Sequence, residues 1–276
     1  MPGRKKVVCL FLCVLAASLL TQNLKEKARL SRLNESTVRT DAFREQQMTE
    51  EAVRILEGME PEERAKAAAL FLLQNGETKE FARFFRSKNL KRQEKIWSKR
   101  PVWEEYVSYC KAIWADVQYF PVPCSARNKE YRVNFNDSWM AERTYGGRRG
   151  HEGCDIMASC DEPGLYPIVS MTDGTVSNKG WLEKGGYRLG ITSPSGGYFY
   201  YAHLDSYADV EEGDTVRAGD IIGFMGNSGY GPEGTKGMFA THLHVGIYLY
   251  PDGEEISVDP YWILRMIEEK KLSCSF

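Results

Sequence analysis

The spacing of apolar residues changes period once along this chain, and that change constrains its fold more than any other feature. Up to Phe120 they recur at three- and four-residue steps; beyond Pro121-Val122-Pro123 the step becomes two and glycines become frequent. The first spacing puts one stripe on a helix, and the second puts one face on a strand. Pro-Val-Pro is a rigid extended hinge, because proline fixes its own φ and disfavours helix in the residue before it. The chain is therefore expected to be α+β overall. Residues 23–120 form a helical region, 121–276 an antiparallel all-β domain, and 1–22 a separate leading segment. The length of 276 residues allows one large domain or two smaller ones.

In the leading segment Arg4, Lys5 and Lys6 precede an apolar run over 7–20, which reads as a signal peptide or a membrane anchor. The run is shorter than the ~20 residues that span a bilayer, which favours a signal peptide. The poor small-residue cleavage site at Ala16 and Ser18, and the charged helical pattern that follows directly, favour an uncleaved anchor. Lys25, Lys27, Arg29 and Arg32 balance the basic residues in front, so charge does not set the orientation. A segment with almost nothing before it leaves its short tail inside, which places the bulk of the chain outside the cytoplasm, anchored or secreted. The net charge of -2 argues against a nucleic-acid partner.

Within the helical region, Glu60-Pro61-Glu62-Glu63 opens a helix with proline in the first turn and acids at its positive end. Its apolar body over 65–73 stops at Asn75-Gly76. Pro101 opens another, in which Trp103, Tyr106, Val107, Cys110, Ile113, Trp114 and Val117 share one face. That face packs on the other helices or on the following domain; the alternative is a docking surface for an envelope protein. The charges over 88–99 read as solvated helix faces. In the second half, 166–176, 187–192, 197–203, 221–225 and 242–248 read as strands. The turns between them fall at Asp173-Gly174, Ser195-Gly196-Gly197 and Pro251-Asp252-Gly253.

All four histidines of the chain, His151, His203, His242 and His244, lie in this half. On a strand, 151, 153 and 155 share a face, so His151 and Asp155 converge with Gly153 leaving room between them for an ion, while Cys154 points away. His242 and His244 also share a face, ~6.5–7 Å apart at the Cα atoms, so one of the two is a ligand and the other a neighbour. Two imidazoles, one carboxylate and an open fourth position make a catalytic zinc site, whereas structural zinc sites are closed and usually rich in cysteine.

Taken together, His-x-Gly-x-Asp over 151–155, Tyr-x-His-Leu over 201–204 and His-Leu-His over 242–244 resemble the M23 (lysostaphin/LytM-type) zinc peptidases. The approach through Phe135, Asp137, Ser138 and Trp139 and the closing Val258-Asp259-Pro260-Tyr261 are similar to that family too. The resemblance covers residues 121–265 and does not extend to the first 120. It implies a small antiparallel β core of duplicated-hybrid-motif type with a groove, a bacterial extracytoplasmic setting, and cleavage of peptide bonds in peptidoglycan. Carried over by motif, His151, Asp155 and His244 bind one Zn2+, while His203 and His242 flank the substrate. Three features depart from the pattern: the loop over 226–240 is long and borders the groove, Ala240-Thr241 replaces the usual small residue and proline, and Cys154 stands beside Asp155 where threonine or valine is more usual.

The implied chemistry is that of a zinc metalloendopeptidase acting on peptidoglycan peptides. No His-Glu-x-x-His helix is present, so the remaining histidines must supply acid–base chemistry. His242 is read as the base and His203 as a hydrogen-bond donor to the oxyanion, with the reverse assignment open; the bland reading of His203 is a satisfied core residue beside Tyr200 and Tyr201. Cys154–Cys160 and Cys124–Cys274 are the expected disulfides of an exported chain, and Cys154 as a zinc ligand is the alternative that its strand face disfavours. Two other functions compete with the peptidase. One is a silent or regulated envelope module binding a partner protein or peptidoglycan, with the membrane reached through the N-terminal segment. The other is an unrelated metallohydrolase or D,D-carboxypeptidase, whose glutamate-containing second motif is absent.

Overall fold

A computed structural model describes residues 2–74 and 81–276. The helices are α1 (Pro2–Leu30), α2 (Asp41–Arg44), α3 (Glu50–Glu57), α4 (Pro61–Leu72), α5 (Phe81–Phe84), α6 (Ser87–Trp97), α7 (Trp103–Trp114) and, near the end, α8 (Tyr261–Ile267). Pro61 sits in the first turn of α4 with Glu62 and Glu63, as expected; the expected stop at Asn75-Gly76 lies outside the described residues. The seven residues of the predicted α7 stripe, from Trp103 to Val117, are all buried.

Helix α1 continues unbroken past residue 22 to Leu30, because Lys25, Glu26, Lys27 and Arg29 are good helix formers. Residues Val8–Leu30 are long and apolar enough to cross a membrane by length and composition, and the apolar side chains of the run, such as Leu10 and Phe11, are exposed.

The strands begin with β1 (Cys124–Ser125), β2 (Val133–Phe135), β3 (Glu142–Arg143), β4 (Arg149–Gly150) and β5 (Cys154–Ala158). After these come β6 (Pro167–Val169), β7 (Gly174–Leu182), β8 (Gly186–Thr192), β9 (Tyr198–Tyr207) and β10 (Thr215–Val216). The last are β11 (Ile221–Met225), β12 (His242–Leu249), β13 (Ile256–Val258) and β14 (Ser273–Cys274). The main antiparallel sheet runs β10-β7-β8-β9-β12-β5-β2, with β11 bridging β6 and β9 and with β13 on β12. The single strand expected over 166–176 is two, broken where the Ser170 hydroxyl turns back to the Thr172 carbonyl at 2.6 Å.

The hinge at residue 121 changes the secondary structure without separating two cores. One buried apolar cluster runs from Leu33 through α4 and α7 into the sheet and ends at Ile267. Buried Arg64 on α4 donates to the carbonyls of Trp114 at 2.8 Å and Ala115 at 2.7 Å, satisfying the C-terminal end of α7. Asp116, just after α7, accepts from the Ser195 backbone at 2.7 Å and the Ser195 hydroxyl at 3.0 Å. Arg44 donates to the Ser257 carbonyl at 3.0 Å, and Arg265 meets Glu50 at 3.0 Å.

The disulfide expectation is corrected: all seven cysteines are free. β1 and β14 do join the two ends of the β domain, but by parallel backbone pairing with Cys124 opposite Ser273 and Ser125 opposite Cys274. In that register the two thiols fall on opposite faces of the ribbon. Cys154 is buried, with its thiol directed to the Asn136 carbonyl at 3.5 Å rather than to Cys160.

Candidate metal centre

The central pair follows from strand register. On antiparallel β12 and β5, His244 stands directly opposite Asp155, and His242 stands opposite Met157. His244 Nδ1 lies 3.0 Å from Asp155 Oδ1, while His242 Nε2 stays 3.8 Å away, so the pair divides into an inner and an outer imidazole.

His151 arrives by another route than the one expected. It precedes β5, which begins only at Cys154, so strand alternation does not bring it to Asp155. Its backbone is fixed by bonds to Ala141 and Met140 at 2.9 and 2.8 Å, and its ring Nδ1 lies 3.1 Å from the Ser138 hydroxyl and 3.2 Å from the Ser138 carbonyl. Gly153 makes room for an imidazole rather than for an ion: a Cβ there would lie 2.4 Å from His244 Cε1 and 2.6 Å from the Val245 carbonyl oxygen.

The result is a triangle of donor atoms. His151 Nε2 is 3.0 Å from His244 Nδ1 and 3.0 Å from Asp155 Oδ1, and the third side is the 3.0 Å contact above. With Nδ1 of neutral His151 donating to Ser138, its Nε2 presents a lone pair. Lone pairs from two imidazoles and a carboxylate aimed at one point repel one another unless a proton or a cation lies among them. This donor set, beside a groove, fits a catalytic zinc.

Burial alone would raise Asp155, but the His151 and His244 rings against its Oδ1 and the charges of His244 and His242 hold it well below the usual carboxylate range. Its other oxygen, Oδ2, accepts from Arg143 Nη2 at 2.9 Å. Sequence reasoning missed Arg143. It lies on the β3–β4 hairpin, twelve positions before its partner, and no motif marks it; only the folded hairpin brings it to the site.

His203 depends on an irregularity. Between Tyr201 and Leu204 the pairing of β9 with β8 slips, and His203 sits in the bulge with φ +61°, its N–H donating to the Gly185 carbonyl at 2.8 Å. In a regular strand His203 would share the face of Tyr201, which is buried with its hydroxyl on the Met171 N–H at 2.9 Å. The bulge turns His203 to the groove, where Tyr200 also points. His203 Nδ1 lies 2.8 Å from the Ser228 carbonyl, and His242 Nδ1 lies 2.8 Å from the Ala240 carbonyl. Both therefore donate from Nδ1 and, when neutral, leave Nε2 unprotonated. Burial, and then the charges of His242 and His244, push His203 well below its ordinary value. Burial also lowers His244.

The groove has a volume of about 490 Å³. The loop over 226–240 borders it as expected, with Phe239 against both His203 and His242 at ring separations of 4.6 and 5.0 Å. Tyr230 from the same loop stacks on Tyr145 at 4.2 Å. Cys154 lies on the opposite face of β5, where burial pushes its thiol up, so it takes no part in the donor set.

Comparison with known proteins covers both halves of the chain. Residues 149–260 match the model of peptidase family M23, and residues 28–116 match that of the LytM N-terminal domain, in the region where no motif had been legible. The crystal structure of a lytM protein from Ruminococcus gnavus superposes with a TM-score of 0.83 at 47% identity, covering 90% of this chain and 98% of that one. An L-Ala–D-Glu endopeptidase from Bacillus subtilis is 43% identical over 150 residues, 54% of this chain and 43% of its own length. Lysostaphin from Staphylococcus simulans is 35% identical over 117 residues, 42% of this chain and 21% of its own length. The chain thus spans less than half the length of the curated relatives it matches.

Proposed function

The chain belongs to peptidase family M23, and on that premise we propose that it is a zinc-dependent endopeptidase hydrolysing peptide bonds in bacterial cell-wall peptidoglycan. The observation that carries this reading is the 3.0 Å triangle of His151 Nε2, Asp155 Oδ1 and His244 Nδ1, with two further imidazoles beside it in a groove. The name of one relative, L-Ala–D-Glu endopeptidase, supports a peptide substrate. The apolar stretch Val8–Leu30 supports an extracytoplasmic enzyme tethered through α1.

His151, Asp155 and His244 would hold the zinc, with Ser138 orienting His151 and Arg143 orienting Asp155. Bound there, zinc supplies Lewis-acid polarisation of the scissile carbonyl and a water acidified toward neutrality. His242, whose Nε2 faces the donor triangle, takes a proton from the attacking water at that atom. His203, held through Nδ1 by the Ser228 carbonyl, turns Nε2 to the groove; it donates from that atom to the developing oxyanion when protonated, a form that burial and the charges of His242 and His244 oppose and the Ser228 hydrogen bond favours, and the exchange of roles between His203 and His242 stays open. Tyr230 and Phe239 shield this side of the groove from water.

The reading separates binding from turnover. His151→Ala should lose the metal, whereas His203→Ala should keep about one zinc per chain and lose roughly 10²–10⁴-fold in turnover. Elemental analysis and peptide release from purified peptidoglycan measure the two. His203→Ala at wild-type rates would remove His203 from the mechanism.

A further inference from the structure

The groove carries more positive charge than its own carboxylates neutralise. Its charged lining consists of Arg143, Arg149, Lys184, Glu152 and Asp155. Arg143 is bound to Asp155 at 2.9 Å, and Arg44 from α2 binds Glu152 at 2.9 Å. Neighbouring charges are also engaged: Arg148 pairs with Glu142 at 2.6 Å, and Glu183 faces the Tyr145 hydroxyl at 3.5 Å. The side chains of Arg149 and Lys184 make no ion pair or hydrogen bond with the described residues, and Nε of Arg149 is buried without an acceptor. Two lining cations without a partner of their own leave positive charge in the groove that a ligand carboxylate would meet.

The position of these cations matters as much as their number. Arg149 opens β4 two residues before His151 and lines the same groove as the donor triangle, so an anion on its guanidinium enters that groove. Lys184 comes from the β7–β8 turn, its side chain packed over Gly146 of the same hairpin loop. Tyr230 and Phe239 make another part of the lining apolar.

We infer that the groove selects a peptide presenting a free carboxylate next to the scissile bond, held by Arg149 and Lys184. The inference rests on the peptidase reading above and narrows its substrate class. Among cell-wall peptides, γ-linked D-glutamate carries such a carboxylate on its α-carbon, and D-isoglutamine carries a neutral amide in the same place.

The test compares two synthetic peptides, L-alanyl-γ-D-glutamyl-L-lysyl-D-alanine and its D-isoglutamine counterpart, on the zinc-loaded full chain. A charge-assisted hydrogen bond predicts that kcat/KM favours the acid by about 10- to 100-fold. Arg149→Gln and Lys184→Gln should each shrink that ratio, with the double variant near unity and Arg149→Lys in between. Affinity of the His203→Ala chain for both peptides gives a readout that needs no turnover and should show the same order. Equal kcat/KM and equal affinity for the two peptides overturn the inference, as does a preference for the acid that survives in the double variant. Failure of the peptidase reading shows separately, as a zinc-loaded chain that releases nothing from whole peptidoglycan.

Discussion

At Gly153 the backbone passes so close to His244 that even a methyl group has no place, and the site depends on that approach. The nearest obstacles to a Cβ are the His244 ring and the Val245 carbonyl, and the latter belongs to the β12 backbone and cannot rotate aside. Gly153→Ala should therefore displace β12 at the donor triangle, costing about 1–3 kcal/mol of stability and most of the bound zinc. Elemental analysis with thermal unfolding checks this; full zinc occupancy would show that the strand can yield. The separate fates of His242 and His244 could be read from their spacing, because alternation on one strand sets two like side chains too far apart to share an ion. Arg143 could not be read, since its partnership with Asp155 arises from a hairpin that carries no sequence signature.

At the scale of elements, α8 is started by a buried acid. Asp259 accepts from the Tyr261 N–H at 2.9 Å, yet burial, aided by the charges of Asp137 and Glu45, pushes it up from 3.8 to about 7. Between those values the folded chain binds more protons than the unfolded chain, so Asp259 makes stability fall as pH rises from about 4 to about 7, with no further loss above. Asn keeps the acceptor without the charge. Asp259→Asn should melt progressively higher than wild type across that window, by about 5 °C at pH 7.5; a gap that stays constant with pH would contradict the account. Strand alternation predicted β8, β11 and β12 well because their apolar patterns are regular. It could not predict the bulge that turns His203 to the groove, because a slip in pairing is a property of two strands and leaves no mark on one. His151 looked like a β5 residue, whereas it lies in the irregular link between β4 and β5, held by backbone bonds to Met140 and Ala141.

For the whole molecule, the helical region and the β domain share one core, and Arg64 is the clearest polar link holding α4 to the end of α7. Arg64→Ala would leave the Trp114 and Ala115 carbonyls without their donor, at a cost of about 2–4 kcal/mol. Helix and sheet probes should then melt together at a lower temperature; a sheet transition left at the wild-type midpoint would show that the two regions unfold independently. The period change at residue 121 disclosed this division of secondary structure but not the shared core, since amphipathic stripes reveal that a face is buried without naming what covers it. The most direct test of the central claim is zinc content of the purified full chain, paired with digestion of peptidoglycan before and after chelation. The account predicts about one zinc per chain, peptide release that the chelator stops, and recovery on returning zinc. A chain that binds no zinc, or that releases the same peptides with its metal stripped, would contradict it.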